Sequence, residues 1–448
     1  MSFLKSKLTY TQMIVFSFFC LIFGGALLLC LPISSRSGEW TPFINALFTA
    51  TSASCVTGLV VVDTYAHWNV FGQIIILTLI QMGGLGVMTC IAMFSIFLKR
   101  RIPLSERRIL MQSAGSLQIS GIAKLLRRII MGTAIAEGFG AVLLSIVFIP
   151  KMGFLPGLWN AVFHSISAFC NAGFDLMGRY AQYSSLTTEE LQFNPIVNFT
   201  IMSLVIIGGI GFIVWSDFAK YKFELRKYAV HSKIVLVATA VLLVFGTVLF
   251  FIFEYNNAFK DYNLWQKIMA SMFQSVTPRT AGFNTVDLTK LSQSSDLLTI
   301  ILMFIGGSPG STAGGIKTTT FAVLLLTTMA NARRYGHVDV FKRKLDDATI
   351  EQASSIFTVY ISCVLSAVLI ICAIEPYSVQ QVLYEVVSAI GTVGLSLGIT
   401  PTLCAASKAM LILLMFTGRV GGLSLMLVLA ERRRNVQIQR PTAQILIG

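Results

Sequence analysis

ALFTATSASCVTGL, residues 46–59, is an apolar run that closes on a small-residue turn and a glycine, Gly58. The same design returns as VFHSISAFCNAGFD (162–175, with Gly173), MFQSVTPRTAGFN (272–284, with Gly282) and LYEVVSAIGTVGLS (383–396, with Gly394). The four glycines lie 115, 109 and 112 residues apart. Self-similarity at a fixed period is a statement about architecture. In so apolar a chain it points to four copies of one unit gathered around a common axis, the geometry a cation pore requires. A single such loop means little, because glycine is frequent in membrane helices. Four in register, each between a pair of long apolar runs, carry the signal.

Composition sets the class. Of 448 residues, 55% are hydrophobic and only 12% charged, where soluble domains carry about 25% charged residues. Runs such as Met13 to Leu31, Ile196 to Trp215 and Ile234 to Phe253 reach the roughly 20 residues a helix needs to cross the hydrocarbon core. The expected fold is an all-α polytopic membrane protein. The formal charge of +14 is clustered. Lys5 and Lys7, 99–108, 124–128, 220–233, 333–344 and 432–440 hold most of the basic residues, and each cluster abuts an apolar run. The positive-inside rule makes their side cytoplasmic, and anionic lipid headgroups or a cytoplasmic partner suit them better than nucleic acid. The N-terminal run is too long for a signal peptide and lacks a small-residue cleavage site. Cys20, Cys30, Cys55, Cys90, Cys170, Cys363, Cys372 and Cys404 form no CxxC pattern, and no disulfide is expected.

Each repeat reads as a long span, a short apolar run with its glycine loop, and a second long span. The outer spans are placed at 13–31, 129–149, 234–253 and 356–374, and the inner ones at 70–98, 196–215, 297–330 and 409–430. That gives eight full spans with both termini cytoplasmic, and repeats over 1–110, 111–226, 227–345 and 346–448. The short runs cannot cross: thirteen helical residues rise about 20 Å against a core of about 30 Å. They must dip in and return on the same side, which is tolerated only where protein or water surrounds the loop. Each short helix then aims the negative end of its dipole at the membrane interior. The returning loop offers backbone carbonyls in place of an ion's hydration shell. The candidate selectivity filter is therefore Cys55, Val56, Thr57 and Gly58; Cys170, Asn171, Ala172 and Gly173; Thr280, Ala281 and Gly282; and Thr392, Val393 and Gly394.

The third inner run, LLTIILMFIGGSPGSTAGGIKTTTFAVLLLTTMA, is interrupted by Gly306, Gly307, Ser308, Pro309, Gly310, Ser311, Thr312, Ala313, Gly314 and Gly315. Proline and five glycines do not continue a regular helix. Irregular backbone at mid-span lines a water-filled path, so this segment is the candidate gate beneath the filter; the plainer reading is a hinge or packing site. Arg419, in MLILLMFTGRVGG, is a charge set in apolar sequence. Such a residue faces an interior cavity, where it repels or gates cations, or pairs structurally, with Glu137 as the buried partner on offer. Lys317 is a related case. Arg279, three residues before Gly282, and Glu385, in the fourth short run, are expected to support the filter by pairing across adjacent repeats. Asp63, Asp175 and Asp287 follow their loop glycines and either draw cations into an outer vestibule or are ordinary loop carboxylates.

Two enzyme patterns fail. The stretch 310–318 nearly matches a phosphate-binding loop, but Ile316 separates Gly315 from Lys317 and no soluble strand precedes it. GLSLG (394–398) fits G-x-S-x-G, yet none of His67, His164, His231 and His337 follows Ser396 to serve as its base. No enzyme activity and no covalently bound cofactor are expected.

ASCVTGL, FCNAGF, TPRTAGFN and GTVGLS, with MFIGGSPGSTAGGIK and MFTGRVGG, make the chain similar to the Trk/Ktr/HKT superfamily of potassium transporters, and most of all to the Ktr membrane subunits. The resemblance spans all four repeats. It implies one pore per chain with a single potassium site region at the glycine loops, gated by the broken third helix together with Arg419. It further implies potassium as the substrate, sodium-stimulated uptake, and a homodimer in the cell membrane. Control would come from a ring of cytoplasmic nucleotide-binding subunits of the RCK type, for GGLG at Gly83 and GGIG at Gly208 lie inside apolar runs and no Rossmann unit is present. Only the first and fourth loops carry a Thr-Val or Val-Thr pair beside the glycine, so the site is asymmetric. Selectivity for potassium rests on the family's association of glycine, rather than serine, in the first loop. A sodium or non-selective cation transporter of the same fold is the alternative.

Overall fold

The computed structural model describes residues 10–86, 89–90, 122–334 and 337–421. The basic stretches at Lys5 and Lys7, 99–108 and 432–440, and the ends of the first and fourth inner runs, lie outside the described residues. The described residues are mostly helical, with a small hairpin pairing Asp339–Val340 with Arg343–Lys344. In chain order the helices are α1 (Tyr10–Cys30), α2 (Phe43–Cys55), α3 (Val70–Leu85), α4 (Ile122–Met152), α5 (Phe154–Phe169), α6 (Pro195–Ile210) and α7 (Phe212–Tyr221). There follow α8 (Val230–Glu254), α9 (Leu264–Val276), α10 (Gln293–Phe304), α11 (Thr318–Ala332), α12 (Asp347–Ile374), α13 (Val379–Gly391) and α14 (Ala405–Val420). Short helical turns, including Thr64–His67 and Glu189–Gln192, decorate the loops.

Among the described residues four helices, Gln12–Cys30, Leu125–Met152, Val230–Glu254 and Asp347–Ile374, are each long and apolar enough to cross a membrane. They match the four outer runs of the sequence. Each precedes a short helix, α2, α5, α9 or α13, of 13 or 16 residues. At 1.5 Å per residue these reach about 20–24 Å, less than the hydrocarbon thickness. Local chemistry fixes their starts. Asn263 with Gln266 and Ser378 with Gln381 form reciprocal capping boxes on α9 and α13. On the inner helices, the Asn69 and Asn194 side chains accept the first free N–H groups of α3 and α6.

The inner runs depart from expectation. Only the third is interrupted on the sequence reading, but the structure breaks all of them. α3 stops before Gly86 (φ 86°), α6 before Gly211 (φ 102°) and α14 before Gly421 (φ 93°), while residues 305–317 separate α10 from α11. A φ near +90° has no place in a right-handed helix and is open to glycine alone at little cost. Across Gly211 the axis turns by 94°. Three residues before each of these glycines sits another, Gly83, Gly208 and Gly418, packed on a preceding short helix: Gly83 on the Ser54 carbonyl, Gly208 on that of Phe169, Gly418 on that of Ile390. The motif G-x-x-G thus combines close approach with a stop.

A Cβ at Gly208 has no space against the Phe169 backbone. Gly208→Val is therefore expected to destabilise the protein by about 1–3 kcal/mol, as overpacking does, and to lower the unfolding temperature in detergent. An unchanged transition would contradict the packing described.

Candidate functional site: a ring of four glycine turns

The four short helices end in the same way. Two residues before each glycine the chain takes a left-handed residue: Val56 (φ 58°), Asn171 (φ 60°), Thr280 (φ 66°) and Thr392 (φ 52°). The glycines are left-handed too, with φ of 94° at Gly58, 68° at Gly173, 80° at Gly282 and 91° at Gly394. The turns meet. A Cβ on Gly58 would lie 2.6 Å from the Ala172 carbonyl oxygen, and one on Gly173 2.7 Å from that of Ala281. Likewise one on Gly282 would strike the Val393 carbonyl, and one on Gly394 the Thr57 carbonyl. The ring closes in chain order, each glycine facing the carbonyl just ahead of the next.

Hydroxyl groups hold the turns from behind. Ser52 receives the Thr57 N–H on its carbonyl (2.8 Å) and the Gly58 N–H on its hydroxyl (3.1 Å). Ser388 does the same for Val393 (2.9 Å) and Gly394 (3.1 Å). The Ser167 carbonyl takes Ala172 N–H (2.8 Å), while its hydroxyl donates to Phe174 O (2.7 Å). Thr277 takes Ala281 N–H (3.0 Å) and donates to Phe283 O (2.6 Å). With the N–H groups spent on these ties, the carbonyls of Thr57, Ala172, Ala281 and Val393 accept no hydrogen bond among the described residues. Sequence reasoning missed these four residues, though a hydroxyl five or six places before each glycine is visible in the chain.

Above the ring opens a cavity of about 680 Å³, lined by all four glycines and by Asp63, Asp175 and Asp287. Their tasks differ. The Asp63 carboxylate caps Thr64–His67 through Tyr65 and Ala66 N–H and ties in Tyr183 N–H (2.8 Å), a loop-anchoring role. Asp287 accepts from Thr289 and lies 3.5 Å from Lys290 Nζ. Asp175 accepts Met177 N–H (2.9 Å), and its enclosure, with Asp63 nearby, pushes its carboxyl up to about 6.

Below the ring, residues 305–317 supply what the broken helices lack. Helix C-termini leave carbonyls unpaired. Thr312 N–H bonds Gly208 O (3.3 Å), Ser308 N–H bonds Gly209 O (3.1 Å) and Gly315 N–H bonds Gly418 O (3.3 Å), while Phe212 N–H donates back to Gly310 O (2.7 Å). Arg419 serves α3: its Nη2 donates to Gly83 O and to Gly84 O (2.9 Å), and its Nη1 to Thr312 O. Gly314 abuts the Thr392 side chain and Gly315 the Gly391 backbone, so the segment lies directly against the fourth turn. Thr312 Oγ1 reaches Phe169 O (3.2 Å) in the second. Lys317 Nζ donates to Ala313 O (2.7 Å), and the Ser308 and Thr318 hydroxyls lie 3.1 Å apart.

Two pairings considered from sequence are absent. Glu385 accepts from Ser396 (2.5 Å) and Thr400 (2.7 Å) hydroxyls, whereas Arg279 donates to Thr239 Oγ1 (3.4 Å) and borders a small cavity shared with Gly307. A neutral hydroxyl pair satisfies the buried carboxylate, so the expected link between Arg279 and Glu385 does not form. Glu137 bonds Gln81 Nε2 (3.2 Å) rather than Arg419. The Asn171 side-chain amide lies 3.1 Å from Thr280 Oγ1, joining the second and third turns. Cys55 is buried, and Cys170 Sγ donates to Gln81 Oε1 (3.3 Å).

The raised Asp175 carboxyl has a linkage consequence. Because folding favours its protonated form, its ionisation costs stability above pH 6, and that cost fades as pH falls from 6 toward the ordinary 3.8. Asp175→Asn is expected to raise the unfolding temperature above pH 6, with the gain closing toward pH 4. A gain independent of pH would contradict the assignment.

Comparisons with known proteins place the chain in a family. A family model described as "TrkH: Cation transport protein" matches residues 6–438. The chain is 40% identical over 451 residues to the potassium/sodium uptake protein NtpJ of Enterococcus hirae, covering 99% of this chain and 98% of that one. It is 37% identical over 448 residues to the Ktr system potassium uptake protein B of Bacillus subtilis, covering 99% and 97%. The fold matches the crystal structure of the potassium transporter TrkH from Vibrio parahaemolyticus with a TM-score of 0.74 at 18% identity, over 95% of this chain and 86% of that one. The chain belongs to the TrkH cation-transport family: it is a multi-pass cell-membrane cation transporter and not an enzyme.

Proposed function

We propose that the protein is the ion-translocating subunit of a Ktr-type potassium uptake system. The observation that carries this reading is the closed ring of four glycine turns, whose forward carbonyls accept no hydrogen bond among the described residues. Such carbonyls replace a cation's hydration shell, and four short helices direct the negative ends of their dipoles at the same place. The four span–turn–span units are read as pseudo-symmetric repeats over 1–110, 111–226, 227–345 and 346–448, with eight spans and both termini cytoplasmic. Residues 306–315, with Lys317 and Arg419, form the gate: they close the space beneath the ring and are held by hydrogen bonds to helix ends, which exchange for water at little net cost. Arg279 and Glu385 support the filter from separate positions, each bonded within its own neighbourhood. Sodium-stimulated transport, a homodimer and control by a cytoplasmic ring of RCK-type nucleotide-binding subunits complete the proposal. The Ktr naming of relatives supports a partner subunit. A sodium or non-selective cation transporter is the second reading, favoured by the name of the Enterococcus hirae relative, a potassium/sodium uptake protein.

Rubidium-86 uptake into vesicles holding the purified protein, with and without a sodium gradient and with the partner added, tests the main reading. Uptake that potassium competes away is expected; none in any condition would sink it. Gly58→Ser places a side chain against Ala172 O at a φ of 94°. It is expected to reduce discrimination between rubidium and sodium on the order of tenfold, the worth of one lost well-placed ligand. Unchanged selectivity would favour the second reading. Arg419→Ala removes the ties to Thr312, Gly83 and Gly84, and faster partner-independent uptake is the expected result. Uptake still fully dependent on the partner would contradict the gating role.

A further inference from the structure

Beyond the ring and its proposed gate, a wide cleft opens between α4, α6, α7 and α8. It encloses about 800 Å³, and Ile135, Ala136, Ile207, Ile210, Phe212 and Trp215 line its apolar wall. Its charged lining residues are Arg128 and Lys222, both exposed. Among the described residues no carboxylate pairs with either. Asp217 is spent on Ser232 Oγ (2.7 Å) and Ala229 N–H (3.1 Å), and Glu224 on Lys227.

The setting is interfacial. α7 leaves α6 at 94°, so it runs across the span direction. Phe218, Phe223 and Leu225 are 53%, 86% and 59% exposed, among Lys220, Lys222, Arg226 and Lys227. The end of α7 and the turn after it thus mix exposed apolar groups with cations, a composition that suits the headgroup boundary. An apolar wall with two cations that no described carboxylate pairs has the shape and charge of a site for acyl chains under an anionic headgroup.

We propose that this cleft binds one anionic glycerophospholipid, and that the lipid braces the corner from which the 305–317 segment hangs. The corner and the segment are one hydrogen-bonded unit. Phe212, in the cleft lining, donates its N–H to Gly310 O (2.7 Å), Gly211 packs on Pro309 O, and Gly209 O accepts Ser308 N–H. A lipid seated against Ile210, Phe212 and Trp215 presses on the backbone that holds the segment in place. The effect on transport rests on the gating role proposed above; the binding does not.

Trp215 lines the cleft and provides the readout. The full-length protein is placed in phosphatidylcholine vesicles doped with either dibrominated phosphatidylglycerol or dibrominated phosphatidylcholine, and tryptophan quenching is compared. Each cation near an anionic headgroup is worth about fivefold in affinity, so phosphatidylglycerol is expected to quench at on the order of tenfold lower doping. Trp215→Phe should abolish that difference, and the double variant Arg128→Gln, Lys222→Gln should reduce it severalfold. Lys227→Gln, outside the cleft lining, should leave it unchanged and so controls for general surface attraction. Equal quenching by the two lipids would overturn the proposal, since a neutral lipid, residues 91–121 or a second copy would then be the occupant. So would a difference untouched by the double variant. For the coupling, rubidium uptake is expected to rise with phosphatidylglycerol in the parent and much less in the double variant. Selective quenching with lipid-insensitive uptake would overturn the brace while leaving potassium transport standing.

Discussion

Everything in this molecule is arranged so that four backbone turns can touch without a side chain between them. At Gly58, Gly173, Gly282 and Gly394 the neighbour is the backbone of the next turn, so a single Cβ would push the ring apart. That contact sets where α2, α5, α9 and α13 end, after 13 or 16 residues, too few to cross a hydrocarbon core. It also explains the hydroxyls of Ser52, Ser167, Thr277 and Ser388. A turn with left-handed residues needs its N–H groups anchored, and anchoring them behind leaves the carbonyls in front.

A second constraint follows from the first. The inner helices must come close to the turns, and Gly83, Gly208 and Gly418 let them do so. Each helix then stops within three residues, which strands carbonyls in an environment where an unpaired one costs several kcal/mol. Residues 305–317 and Arg419 satisfy those carbonyls. The guanidinium thus answers two needs at once. It is a half-buried charge with no carboxylate partner among the described residues, solvated by three carbonyl dipoles, and it ties α3, α14 and the 305–317 segment at one point. In the gate proposed above, a positive charge held by neutral groups keeps its field, which is the physical basis for a barrier to cations beneath the ring.

The long apolar helices and the glycine turns were legible in the sequence because each rests on a local rule: a run of apolar residues, or a glycine at a fixed phase. The breaks at Gly86, Gly211 and Gly421 are equally local, yet G-x-x-G at 83–86 and 208–211 reads first as a fragment of a nucleotide motif, which hides its role as a stop. The partners of Arg279, Glu385 and Arg419 were not legible. Opposite charges in apolar sequence invite pairing, but Ser396 and Thr400 lie within one loop of Glu385 and reach it first. For Arg419 the acceptors are main-chain carbonyls, exposed only by helix ends that side-chain identity does not announce. Coupling between distant elements is where a single chain's pattern falls silent.

The central claim is that the ring of four glycine turns is a cation site. Equilibrium binding of potassium to the purified protein, followed by titration calorimetry in sodium-free choline buffer, tests it most directly when the parent is compared with Gly282→Ala. The Ala side chain would strike Val393 O inside the ring. The account predicts saturable potassium binding in the parent, with rubidium competing, and loss of that binding in the variant while its unfolding transition remains cooperative. Undiminished potassium affinity in a folded Gly282→Ala protein would place the site elsewhere and contradict the account.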